Sequence, residues 1–297
     1  MNPLERLSTG VPGLDALLGG GLIPGTLTVV AGASGIGKTQ LGVQFAAAGQ
    51  SQEGRRGIVF DMNARVDSQS HAEYAQRMFG WKLREADAER TAEPLELLDP
   101  AHDPGEFLHV FRHDGRRLNQ RDVSFDTWHD WQAELAAKLN ATIAFFYGNF
   151  SRGCRRAVVD GVEPTERQSQ SIQFELFEYV YHQIMRKEHD WVARDLLRQN
   201  FRAHADWVAD HAYDHKQVAC LLLYTTHETM LDRLIERPLD DGDLLAGANT
   251  IIYLGKVRNG QRLDRGLYVG KHRGSACSDQ IATYRIGDEG LRMEESS

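Results

Sequence analysis

The segment Gly32-Ala33-Ser34-Gly35-Ile36-Gly37-Lys38-Thr39 satisfies G-x-x-x-x-G-K-[ST] in full, and it directly follows the β-like run Thr26–Ala31. Glycines in such a loop let backbone N–H groups turn inward on a phosphate chain. Lys38 can reach the β and γ oxygens, and the Thr39 hydroxyl can ligate Mg²⁺. The following run, Gln40 to Ala48, reads as a helix whose N-terminal dipole adds to the anion site. The strand-loop-helix context that the motif requires is therefore present, and the chain is expected to bind a nucleoside triphosphate. Gly32, Ala33, Ser34, Gly35, Ile36, Gly37, Lys38, Thr39 and Gln40 form the expected contact set.

A chain of 297 residues with 41% hydrophobic side chains can bury one large α/β core or two small ones. Neither an internal repeat nor a linker rich in Pro, Gly and Ser divides it, so a single domain over 1–297 is the expected partition. The formal charge of -8 argues against broad attraction to nucleic acid or anionic lipid. Cys154, Cys220 and Cys277 show no C-x-x-C spacing and read as reduced thiols. The longest apolar run, Val218 to Tyr224, is only strand length, and no basic, apolar leader opens the chain. A cytoplasmic protein is expected.

Apolar runs at 27–31, 57–60, 94–98, 156–159 and 218–224 read as buried parallel strands separated by helix-rich segments. Later runs at 250–254, 266–270 and 281–286 are separated by short polar turns and look like antiparallel additions to the same sheet. Residues 166–216 contain neither Pro nor Gly and read as two helices, either a pair packed on its own core or a projecting hairpin that offers an oligomer or partner surface. The expected fold is thus a mostly parallel sheet flanked by helices, with antiparallel C-terminal strands and a helical insertion.

A phosphate loop needs a second acid for Mg²⁺, normally at the end of a later apolar strand. Asp160, closing Arg155-Arg-Ala-Val-Val-Asp160, meets that requirement. Hydrolysis also needs a group that directs the attacking water. Asp61 ends the strand after the loop helix and is the leading candidate, with Glu163 second. The polar cluster Thr225-Thr-His-Glu228 suits a sensor of the γ-phosphate. Lys271 and Arg273 alternate after a strand, so both side chains face one side and suit a phosphate, including one held by a neighbouring subunit. His211 and His215 have the spacing of one helical face but no third ligand, so zinc is not expected.

Taken together, these residues resemble the KaiC-like branch of the RecA superfamily of P-loop ATPases. Leu7 to Gly25 is similar to that family's approach to the P-loop strand, Phe79-Gly-Trp81 to the segment after its second core strand, and Lys271-His-Arg-Gly-Ser275 to its Lys-x-Arg-Gly element. The resemblance implies a RecA-like core, ATP and Mg²⁺ between subunits, and a ring, commonly a hexamer. Lys271 and Arg273 would then act on the adjacent subunit's ATP. Where relatives carry a Glu-Glu pair, this chain has Asp61-Met62, one methylene shorter, so slow hydrolysis or a non-hydrolysing nucleotide sensor is implied. A DNA-dependent recombination ATPase is the third alternative, opposed by the acidic run Leu239-Asp-Asp-Gly-Asp243. Autokinase activity toward a nearby hydroxyl is the fourth.

Overall fold

Leu27, Val29 and Ala31 pack into one buried apolar layer and Val30 into the other, the two-residue period of a strand covered on both faces. The same division splits Phe60 from Val59, Val159 from Val158, and Leu222 from Leu221 and Leu223. A sheet that is apolar on both sides must be sandwiched, and helices cover both faces. The computed structural model describes residues 5–63, 71–86, 95–99, 101–111, 125–162, 172–236 and 247–294; side chains of 125–137 and of residue 172 are not included.

Strands β1 (Leu27–Gly32), β2 (Ile58–Asp61), β3 (Phe107–His109), β4 (Arg156–Val162), β5 (Ala219–Thr225), β6 (Thr250–Asn259), β7 (Arg262–His272), β8 (Ala282–Gly287) and β9 (Gly290–Met293) form one sheet. Their spatial order is β3-β2-β4-β5-β1-β6-β7-β8-β9. The strands from β3 to β6 in that order are parallel, and β7, β8 and β9 continue it antiparallel, as the tightening turn spacing implies. The chain is accordingly a mixed α/β protein with a mostly parallel sheet flanked by helices.

Helix α1 (Leu14–Leu17) lies in the N-terminal segment, and α2 (Lys38–Gln52) runs from the phosphate loop along the sheet. Gly42 on α2 allows that close approach: a Cβ there would meet Leu223 Cδ1 and Val158 Cγ1, each at 2.9 Å. The far end of α2 is tied to β4 by Arg156, which is wholly buried. Its guanidinium donates to the Glu53 carboxylate, to Gln52 Oε1 and to the Ser8 and Phe45 carbonyls, and its Cζ lies 4.8 Å from the Phe45 ring centroid.

Two expectations are corrected. The apolar run at 94–98 is not a strand: Glu96–Leu98 is a 3-10 turn that buries Leu97, and the edge strand is β3, formed by Phe107–His109. The described residues of the 166–216 segment do not form a projecting pair of helices. From residue 172 onward they break into α5 (Ile172–Tyr179), a π-helical turn (Val180–Met185), α6 (His189–Leu197), a 3-10 stretch (Arg198–His204) and α7 (Ala205–Asp210). Phe174, Phe177, Ile184, Val192, Leu197 and Phe201 join the main apolar layer, so this segment covers a sheet face and does not project as a hairpin. That layer also receives the last turns of α4 (Phe125–Phe150), a 26-residue helix the sequence did not disclose.

Candidate functional site

The phosphate loop leaves the C-terminal end of β1 and turns through Gly35 (φ 75°) and Gly37 (φ 111°), left-handed conformations that favour glycine, before α2 begins at Lys38. A Cβ on Gly35 would meet nothing within 4 Å, so that side of the loop is open, whereas one on Gly37 would lie 2.8 Å from Ile286 Cδ1. The C-terminal strands therefore back the loop. Tyr284 Oη donates to the Ile36 carbonyl (2.8 Å), and the Gln44 amide exchanges two hydrogen bonds with the Leu291 backbone (2.9 and 2.7 Å). Lys38 is buried, and its Nζ donates to the Gly32 and Ala33 carbonyls at 2.9 Å each.

Asp160 sits on β4, two strands from β1 with β5 between them. Thr39 Oγ1 donates to Asp160 Oδ2 at 3.0 Å, joining the hydroxyl and the carboxylate expected to serve Mg²⁺. Asp61 is the register partner of Asp160 on neighbouring β2. Its Oδ1 accepts from the Asn63 N–H (2.9 Å) and from Asn63 Nδ2 (2.7 Å). Thr225, at the end of β5, is in register with Gly32, and the Thr226 N–H donates to the Gly32 carbonyl (3.0 Å). The cluster expected to sense a γ-phosphate thus begins between the loop strand and β4.

One buried group in this site belongs to no motif in the sequence. His71 opens helix α3 (His71–Phe79) and stands between the two acids, with Nε2 3.0 Å from Asp160 Oδ2 and Nδ1 3.6 Å from Asp61 Oδ2. Burial pushes the Asp61 carboxyl above its ordinary range, against the pull of His71. Burial acts the same way on Asp160, but the His71 hydrogen bond and charge, with Lys38 and Thr39, outweigh it and hold that carboxyl low. For His71, burial opposes the charged form, and the two facing carboxylates more than reverse this, raising its pKa. No local pattern marks His71, because its partners come from the ends of β2 and β4.

Lys271 and Arg273 are not brought to this centre. In the sheet register Thr28 lies opposite Thr250, and Thr250 opposite His272. Both cations therefore flank a row four residues before Gly32, about 13 Å from the loop along the strand direction. His272 is buried between them, accepting from Arg6 Nη1 (3.1 Å) at Nε2 and contacting Thr250 Oγ1 (2.8 Å) through Nδ1. Burial and the Arg273 charge lower the pKa of Lys271, as expected for two neighbouring cations. Arg273 itself lies just past β7, with its N–H on the Asn249 carbonyl.

Glu163 and the run 239–243 lie outside the described residues. His211 and His215 do not share a helix face: His211 caps α7 and stacks on Trp207 (centroids 4.0 Å), while His215 starts a separate 3-10 turn. Among the described residues no cluster of His, Cys, Asp or Glu is arranged to hold a metal by itself. The loop's open cradle, its buried lysine and the Thr39–Asp160 pair fit a triphosphate with Mg²⁺, a hard cation that takes few protein oxygens and completes its coordination with phosphate and water.

The family described as "ATPase: KaiC" matches residues 7–181. UPF0273 protein MK0039 of Methanopyrus kandleri is 36% identical over 87 residues, 29% of this chain and 32% of that protein. The circadian clock protein KaiC2 of a Synechocystis strain is 34% identical over 88 residues (29% and 15%). The circadian clock oscillator protein KaiC of Prochlorococcus marinus is 33% identical over 101 residues (34% and 19%). The chain thus spans a third or less of the length of these relatives. A crystal structure of the KaiC-like protein PH0186 from Pyrococcus horikoshii superposes over 99% of this chain and 100% of the other, with a TM-score of 0.54 at 16% identity, which supports the fold. A match across more than half the chain, with the loop, its strand and its acid in place, makes this protein a member of the KaiC family of RecA-superfamily P-loop ATPases.

Proposed function

We propose that the protein is a slow Mg²⁺-dependent ATPase of a ring, in which each ATP lies between subunits and its turnover switches the packing of the ring or of a partner surface. The observation that supports this most is the distance between Lys271 and Arg273 and their own P-loop. Two neighbouring cations beside a buried, neutral histidine suit an anion, yet no motion within one sheet brings them to the loop of the same chain. A copy of the chain packed edge to edge supplies the missing phosphate.

In this reading the loop amides and Lys38 hold the β and γ phosphates, while Thr39 and Asp160 serve the metal. Mg²⁺, when bound, neutralises phosphate charge in the transition state. Asp61 directs the attacking water, and the sensor cluster after β5 reports on the γ-phosphate. Lys271 and Arg273 of the adjacent copy stabilise the charge that spreads over the transferred group. Phosphate release per subunit should therefore rise with protein concentration as subunits assemble. Asp61→Asn should lower turnover by about 10²-fold while leaving nucleotide affinity within a few fold.

The trans arrangement has its own test. Lys38→Ala and Arg273→Ala proteins, each inactive alone, should regain part of the wild-type ATPase rate when mixed, since some interfaces then pair an intact loop with intact fingers. No recovery in a mixture shown to co-assemble rejects the arrangement. A second reading, a sensor that binds ATP without hydrolysing it, is favoured by one feature: both Asp61 oxygens already face donors, Asn63 and His71. Tight ATP binding with no phosphate release at any protein concentration would select it.

A further inference from the structure

Asp160 Oδ2 receives two donors, the Thr39 hydroxyl and His71 Nε2, each at 3.0 Å, while Oδ1 accepts the Gly161 N–H at 2.7 Å. A carboxylate so engaged has little acceptor capacity left for the hydration sphere of a cation. Thr39 can move to the metal together with Asp160, because both are expected on it. His71 is not among those expected metal partners, and its ring lies between the two acids.

We propose that His71 is a positioning residue that competes with the hydrated Mg²⁺ for Asp160, so that metal-nucleotide binding releases the imidazole onto Asp61 and moves the start of α3. This rests on the reading of Thr39 and Asp160 as the metal's protein partners. The 3.6 Å separation of His71 Nδ1 from Asp61 Oδ2 is too long for a hydrogen bond and leaves room for closure once Nε2 is free. His71 is the first residue of α3, and α3 packs against α2, so the exchange at one carboxylate is delivered to a helix that neighbours the P-loop helix.

The test is calorimetric binding of a non-hydrolysable ATP analogue, with Mg²⁺ and with EDTA, to wild type, His71→Ala and His71→Gln, each checked for wild-type circular dichroism. Competition predicts that His71→Ala raises the ratio of the two affinities by about tenfold, the value of one hydrogen bond to a charged group. Affinity in EDTA should stay unchanged. His71→Gln, which keeps one donor toward Asp160, should stay near wild type and also controls for loss of folding in the alanine variant. An unchanged ratio in a folded His71→Ala protein overturns the competition, and a lower ratio overturns it in favour of His71 as a metal ligand. A wild type that gains nothing from Mg²⁺ overturns the metal-site reading first, and this inference with it.

Discussion

Lys38→Ala should abolish ATPase activity, with turnover down by about 10³-fold and nucleotide binding weakened at least tenfold. The lysine is buried at the start of α2, and its ammonium already rests on the Gly32 and Ala33 carbonyls, so its charge is held at the mouth of the loop before any phosphate arrives. Removing it deletes the cation proposed for the bridging and terminal phosphate oxygens and leaves the Gly32 and Ala33 carbonyls without this donor. The second effect predicts a small stability loss of about 1–2 kcal/mol, which a thermal melt separates from the kinetic one. Lys38→Arg should fail as well, because a planar guanidinium does not fit a point-charge site enclosed by loop backbone. Phosphate release and calorimetric binding measure the outcome. A folded Lys38→Ala protein that hydrolyses ATP within tenfold of wild type would remove the lysine from the chemistry.

The largest stability effect is expected at Arg156→Ala. This arginine is fully buried, with its donors distributed over Glu53, Gln52, Ser8 and Phe45, so it joins β4, the end of α2 and the N-terminal segment at one point. Truncation strands the buried Glu53 carboxylate and the acceptors around it, a change that costs about 3–5 kcal/mol. The urea midpoint should fall with little change in slope, because the surface exposed on unfolding stays similar. Replacing Glu53 as well should recover part of the loss: Glu53→Gln combined with Arg156→Met removes the unpaired charge and refills the volume. A midpoint shift corresponding to under 1 kcal/mol for Arg156→Ala would mean that solvent reaches Glu53 once the guanidinium is gone.

The central strands and the phosphate loop were legible in the sequence because they depend on local chemistry. Val29-Val30 and Leu221-Leu222-Leu223 must be covered on both faces, and only glycine is comfortable at the turns of Gly35 and Gly37. Asp61 and Asp160 were legible as strand ends, and the register between β2 and β4 makes them neighbours. The edge of the sheet was not. Leu97 and Leu98 are as apolar as a strand, but Leu97 reaches the core from a 3-10 turn, and the pairing goes to Phe107–His109. Apolar content reports burial and does not by itself choose the backbone conformation. The segment after residue 172 has strong helix propensity throughout, and tertiary packing of Phe174, Phe177 and Phe201 cut it into short pieces. His71 was invisible for a different reason: its role is defined wholly by two side chains on other strands, and only the sheet order assembles them.

The bonds from Tyr284 to Ile36 and from Leu291 to Gln44 span 248 and 247 residues. During synthesis the phosphate loop emerges well before the strands that back it. Until β8 and β9 are made, the loop's left-handed turns have nothing of those strands to lean on, and long-range pairings of this kind form late. Tight capture of a phosphate chain is then expected only of a nascent chain that has reached β9. A nucleotide held by the loop would add its binding energy to the fold only after β9 has docked, and would draw the folded domain away from its partly folded precursors.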